Sequence, residues 1–198
     1  MNDLFGVRRW GLVALLASVF LLAAVAAANA SHPMVQPDGD RMHWSDNDPS
    51  FPRGYVFWQD QTGAEWPVFS SAVQWDRASR LDAVYVTGSC TSNHCVTVRE
   101  ADLDPGCTGR LGEVLHVTGP AGHYFSATEV RIDAQCDARS AADRRELVCH
   151  ELGHSTGLDD RPSNTNTCMR SGDMVGEQFP DGHDFEVLLF SYNHDDPG

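Results

Sequence analysis

Leu147-Val148-Cys149-His150-Glu151-Leu152-Gly153-His154-Ser155-Thr156-Gly157-Leu158-Asp159-Asp160 decides how the rest of the chain is read. On an α-helix, residues four apart stand nearly one above the other, so His150 and His154 offer their imidazoles to one point. Glu151 falls on the flank of that face, within reach of a water held beside the two rings. Paired imidazoles, an adjacent carboxylate and an open coordination position describe a catalytic zinc site. Gly157 comes three positions after His154, where a helix ends if the backbone must take a positive φ and turn sharply. Such a turn could swing Asp160 back towards the same point as a third, oxygen ligand. The competing reading is a helix with two solvated histidines and a coincidental bend, because short motifs do arise by chance. It needs Gly157, the acid at 160 and Met169 to coincide without cause.

His-Glu-x-x-His-x-x-Gly-x-x-His is the zinc signature of the metzincin proteases, and this chain carries Asp160 in its last position. With Cys149 before the first His, Leu158 after the Gly and Cys168-Met169 further on, the region resembles matrixin-like secreted metzincins. The Asp in third place resembles the snapalysin branch of that superfamily. The resemblance implies an α+β, metzincin-like zincin fold: a twisted mixed β-sheet, an active-site helix, a Met-turn and a C-terminal helix. It implies one catalytic Zn2+ on His150, His154 and Asp160, with Met169 forming a hydrophobic floor beneath it. It also implies a zinc endopeptidase that hydrolyses peptide bonds with activated water, Glu151 being the general base and a protein or peptide the substrate. Asp159 could replace Asp160 as ligand if the turn closes differently; the family register favours Asp160. No Tyr stands close after Met169, the next being Tyr192, so a tyrosine ligand or oxyanion donor near that turn is not evident. Arg170 and the segment to Glu177 are expected to line the substrate pocket, with a preference for acidic residues if Arg170 points inward. Two other functions share the metal: a non-catalytic exported binding or inhibitory module, and a zinc amidase acting on a cell-wall amide.

Met1 to Ala30 reads as an export signal. Arg8 and Arg9 supply a positive start, Leu12 to Ala27 is almost wholly apolar, and Ala28-Asn29-Ala30 is a small-residue cleavage site. A retained membrane anchor is the alternative, the apolar run being near the lower limit for spanning a bilayer. Removal leaves a secreted, extracellular chain that needs no membrane, and a monomer is expected. Residues 31–54, rich in Pro, Asp, Asn and Ser, read as an irregular N-terminal arm or short pro-segment, and residues 55–198 as the catalytic domain. That length suffices for one domain with its own core. Asp38, Asp40, Asp46 and Asp48 offer oxygens for a structural Ca2+, but they do not match an EF-hand loop, and solvated loop acids are the simpler reading.

The formal net charge is −14 and every basic residue apart from His is Arg. That balance argues against nucleic acid and against anionic membrane surfaces as partners. The six cysteines all lie in the mature part, an even number in an exported chain, which suggests disulfides. Cys90 and Cys95 bracket a short turn, and a Cys149–Cys168 bond would tie the active-site helix to the turn below the metal, as the resemblance also suggests. Cys107 and Cys136 remain, although sequence alone allows many pairings.

Elsewhere, Tyr55-Val56-Phe57-Trp58 is a β-prone run, and Val68, Ala72 and Trp75 give Pro67 to Arg77 an amphipathic helical period. Residues 83–86, 96–98, 113–117 and 128–133 read as strands, Ser140 as the cap of the His-bearing helix, and Asp184 to Asn193 as a terminal helix. Trp44, Trp58, Trp66 and Trp75 could form a sugar-binding platform, but packing is the simpler role for Trp58 and Trp75. His94, His116 and His123 have no ligand spacing between them; a second, structural metal could use some of them, and surface or satisfied histidines are the default.

Overall fold

A computed structural model gives the architecture and describes residues 33–35, 41–45, 53–117, 119, 123–124, 128–176 and 179–193. Residues 1–30, read above as an export signal, and Asp38, Asp40, Asp46 and Asp48 lie outside the described residues. The described residues all belong to one compact unit, Ser31–Gly198.

The fold is α+β. Strands β1 (Gly54–Asp60), β2 (Leu81–Val86), β3 (Cys95–Ala101), β4 (Gly112–Leu115) and β5 (Thr128–Asp133) form one mixed sheet in the order β2-β1-β3-β5-β4. The first four in that order are parallel, and β4 closes the edge antiparallel to β5. Helix α1 (Val68–Trp75) makes the crossover that a parallel β1–β2 pair requires. Helix α2 (Ala141–His154) follows β5, and α3 (Gly182–Ser191) closes the described chain.

Alternation along the strands sorts the sheet into two faces. Val56, Trp58, Val96, Val98, Val130 and Ile132 are buried against Ala72, Trp75, Leu147, Val148 and Leu152 of the helices. On the opposite face, Arg131 bridges Glu113 at 3.1 Å and Glu129 at 2.9 Å across β4 and β5. α2 begins where Ser140 accepts the Asp143 N–H at 3.1 Å. α3 starts two residues before the expected Asp184, because Asp181 and Asp184 form a reciprocal capping box around its first turn. The strand expected over 113–117 stops at Leu115, leaving His116 and Val117 beyond its end.

Three disulfides join Cys90 to Cys95, Cys107 to Cys136 and Cys149 to Cys168. Among the described residues, no helix is long and apolar enough to cross a membrane. The tryptophans are core groups rather than a platform: Trp44, Trp58, Trp66 and Trp75 are all buried.

Candidate active site

The last turn of α2 and the bend after it are fixed from several sides. Gly157 has φ +96°, and a Cβ there would lie 1.9 Å from the Met42 carbonyl oxygen, so only glycine admits both the turn and the neighbouring chain. The arm reaches this bend as well: Met34 N–H donates to the Gly157 carbonyl at 2.8 Å. Trp44 Nε1 donates to the Ser155 carbonyl at 2.8 Å, Trp58 Nε1 to Ser155 Oγ at 2.9 Å, and the Tyr192 hydroxyl to the Thr156 carbonyl at 2.9 Å. These bonds satisfy groups that a helix C-terminus leaves open and hold the chain that leads to Asp160.

His150 and His154 face one point. Their Nε2 atoms are 2.8 Å apart, and Asp160 Oδ1 lies 3.3 Å from the first and 3.5 Å from the second. Each Nδ1 meets a backbone carbonyl at 2.8 Å, that of Cys168 for His150 and that of Leu158 for His154. A carbonyl can only accept, so each Nδ1 carries the proton and each neutral ring turns a lone pair on Nε2 towards the other two donors. Three lone pairs converging at this range repel unless a cation sits among them. A tetrahedral ion with bonds of about 2.0–2.1 Å needs ligand atoms about 3.3–3.4 Å apart. Both contacts of Asp160 match that edge, and the His–His pair would open by about 0.5 Å to reach it. The residues present therefore fit a divalent metal, and among the described residues His150, His154 and Asp160 are the group that could hold one.

The titration behaviour agrees with a site built for positive charge. The His150 and His154 imidazoles beside it, which can donate from Nε2 once protonated, hold the Asp160 carboxyl well below the usual carboxylate range. Burial lowers the His154 pKa, but the Asp160 hydrogen bond, the Glu151 charge and the Leu158 carbonyl outweigh it and leave the imidazole above its ordinary value. Asp159 takes another course: its Oδ1 accepts the Asp160 N–H at 2.8 Å, so it braces the turn.

Glu151 is only 5 % exposed. Burial raises its pKa against the pull of His150 and His154, and the Asp160 and Glu113 charges add to the rise. Its carboxylate lies against Gly112 on the edge strand, where a Cβ would come within 2.5 Å of Oε1. A second glycine shapes the opposite side of α2. A Cβ on Gly153 would fall 2.2 Å from Met169 Sδ and 2.7 Å from Trp75 Cζ2, so the missing side chain is what lets Met169 and Trp75 pack against the helix. Trp75 Nε1 also donates to the Cys149 carbonyl at 3.0 Å, and the Cys149–Cys168 bond ties the helix to the Met169 turn.

The loop carrying Asp160 is anchored through its neighbour. Arg161 is buried, its Nη1 donates to Asp181 at 2.6 Å and Asp184 at 3.2 Å, and its N–H donates to the Met169 carbonyl at 2.8 Å. The Arg170 guanidinium is turned into its own loop. Its Nε and Nη2 donate to the Ser163 carbonyl at 3.1 and 2.7 Å, Nη1 donates to the Asp173 carbonyl, and Glu146 lies 3.8 Å away. The loop's own carbonyls hold that guanidinium, and Glu177 lies outside the described residues.

A cleft of about 320 Å³ contains His150, Glu151, His154 and Asp160 and is walled by Met34, Gly112, Glu113, Val114 and His116. Gly112, Glu113, Gly153 and His116 were not singled out by their spacing. Gly153 alone leaves a signal, since glycine inside a helix costs about 1 kcal/mol and points to a packing reason. His94 stacks on Tyr55 and bonds its carbonyl at 2.9 Å, and His123 stands edge-on to His43, away from the donor set. A larger cavity of about 520 Å³ around Asp60 and Tyr85 holds no comparable donor group, and Asp60 is bonded there by Thr62 and Tyr85.

No family model matches the chain, and no curated protein matches it. Among solved structures, one described as the crystal structure of myroilysin is similar with a TM-score of 0.43 and 13% identity, covering 86% of this chain and 97% of that one. A second, described as the structure of myroilysin, has a TM-score of 0.43 and 12% identity over 72% of this chain and 94% of that one. The reading of the site rests on its own geometry.

Proposed function

We propose that this chain is a secreted zinc-dependent endopeptidase of metzincin type. The observation that carries the reading is the convergence of His150 Nε2, His154 Nε2 and Asp160 Oδ1, with both imidazole tautomers set from behind and Glu151 beside them. His150, His154 and Asp160 would hold the zinc ion. Bound there, the ion supplies Lewis acidity for hydrolysis of an amide.

The remaining work falls to side chains and backbone. The Glu151 carboxylate takes the proton of the attacking water and returns it to the nitrogen of the leaving amine. The wall formed by Gly112 limits where the Glu151 oxygens can go. The Cys168 and Leu158 carbonyls keep both imidazoles turned inward, and Met169 fills the space behind the helix. β4 ends the sheet directly above Glu151, so an extended chain could add there as a further strand and lay a peptide bond along the cleft. That edge favours a polypeptide substrate over a compact cell-wall amide. Placement of Glu151 in the cleft favours turnover over a binding module. Export is supported by the sequence of residues 1–30 and by the three disulfides.

The test compares wild type, Glu151→Gln and Asp160→Ala on a denatured protein substrate, with and without a chelator. Wild type should cleave, lose activity to the chelator and regain it with zinc. Glu151→Gln should keep zinc and lose activity by orders of magnitude; Asp160→Ala should lose both. Equal function in wild type and Glu151→Gln sinks the enzyme reading.

A further inference from the structure

Among the described residues, His116 is the one imidazole that lines the cleft without a hydrogen bond holding its Nδ1. His150 and His154 each commit Nδ1 to a backbone carbonyl. His116 Nδ1 is buried with no hydrogen-bond partner. Native structures seldom leave a buried polar atom unpaired, and where they do the residue usually serves another purpose. Nor is His116 one of the candidate metal ligands.

Its position follows from the strand before it. Gly112 and Val114 face α2, and His116, just past the end of β4, lines the same cleft. Gly112 meets Glu151, whereas His116 sits further along the cleft beside the end of α2. There its ring lies 5.3 Å from that of Tyr124, whose hydroxyl points to the His154 carbonyl at 3.4 Å. A chain laid along the cleft would have both Glu151 and His116 on its walls. The tyrosines nearby are committed elsewhere: Tyr124 to the His154 carbonyl and Tyr192 to that of Thr156.

We propose that the neutral His116 imidazole donates its Nε2–H to the oxygen of the scissile carbonyl, which gains negative charge as water adds. Glu151 accepts the proton at one end of the cleft and His116 stabilises the oxygen at the other. Proton and charge balance without any further group, since His116 keeps its proton throughout. The proposal rests on the protease reading and adds the donor that no tyrosine supplies.

The experiment measures kcat, KM and zinc content for wild type, Glu151→Gln, His116→Ala and His116→Gln, all as full mature chains. It adds the affinity of each zinc-loaded protein for a phosphinic peptide, a tetrahedral anionic mimic, and for the uncleaved peptide bound to the Glu151→Gln background. Loss of one oxyanion donor lowers kcat by about 10²–10³-fold, and that is the expected effect of His116→Ala. KM, zinc content and thermal midpoint should stay near wild type, and affinity for the phosphinic peptide should fall roughly in step with kcat/KM. His116→Gln, which keeps an N–H donor, should recover part of the loss. If His116→Ala retains wild-type kcat, or loses activity only as it loses zinc or stability, the donor role is overturned while the protease reading stands. If zinc-loaded wild type cleaves no peptide and matches Glu151→Gln, the protease reading fails and the donor role falls with it.

Discussion

Gly112→Ala tests whether the general base needs the room that the edge strand leaves it. The added Cβ would lie 2.5 Å from Glu151 Oε1 and 2.6 Å from Cδ and Cγ. Ordinary contact begins at 3.4 Å, so the carboxylate must retreat by about 0.9 Å, the difference between 3.4 and 2.5. Glu151 is buried, which leaves few other positions for it. A misplacement of about 1 Å can cost about 10²-fold in rate, and kcat should fall by that order. Backbone strain is not the cause, because Gly112 is not among the glycines with positive φ. Overpacking should cost about 1–3 kcal/mol of stability, so a thermal melt of the same sample checks that the variant stays folded at the assay temperature. The assay pairs steady-state hydrolysis of a fluorogenic peptide with metal analysis of the same sample. His150, His154 and Asp160 are untouched, so zinc content should hold while kcat falls. A variant with wild-type kcat, or one that fails only through lost zinc, would show that the Glu151–Gly112 contact does not set the rate.

Other perturbations have equally definite outcomes. Glu151 must be ionised to act, so the acid limb of kcat/KM should report its titration, and in the metal-free fold burial raises that pKa. Removing a neighbouring negative charge with Glu113→Gln should move that limb to lower pH; a limb that stays put excludes the coupling. The same raised pKa means the metal-free fold binds more protons than the unfolded chain, so ionising Glu151 lowers stability as pH rises through that value. Metal-free Glu151→Gln should accordingly melt no lower than wild type at neutral pH. Replacing Cys149 and Cys168 by Ser together should cost about 3 kcal/mol and, by loosening the carbonyl behind His150, about 10–100-fold in zinc affinity; competition with a chromophoric chelator reads the second effect. Gly157→Ala meets the Met42 carbonyl at 1.9 Å with φ at +96°, and it should lower the melting temperature by on the order of 10 °C.

The parts of the site legible in the sequence are those with a local period. The convergence of His150 and His154 follows from helix spacing, and Ser140 and Gly157 mark where that helix starts and stops. The choice between Asp159 and Asp160 had no such signal, because a turn can present either side chain. In the structure Asp160 Oδ1 lies 3.3 and 3.5 Å from the two rings, whereas the Asp159 carboxylate accepts the Asp160 N–H. Gly112 and Gly153 act through partners remote in sequence, Glu151 and Met169, and a missing side chain carries no trace of what fills its place. Trp44 reads as part of an irregular arm, yet it is fully buried and bonds Ser155 from the far end of the chain. Strand order is likewise silent in the sequence: β4 precedes β5 but lies outside it, at the edge. Arg170 looked suited to a substrate pocket by position, and three donors committed to loop carbonyls give it a different task.

The central claim is that one divalent ion is gripped by two imidazoles and the carboxylate across the glycine bend. Anomalous diffraction from crystals of zinc-loaded mature protein, recorded on either side of the zinc absorption edge, tests it most directly. The account predicts a single strong peak about 2.0–2.2 Å from His150 Nε2, His154 Nε2 and an oxygen of Asp160. A peak bound to Asp159 instead, or zinc found only away from these rings, would contradict it.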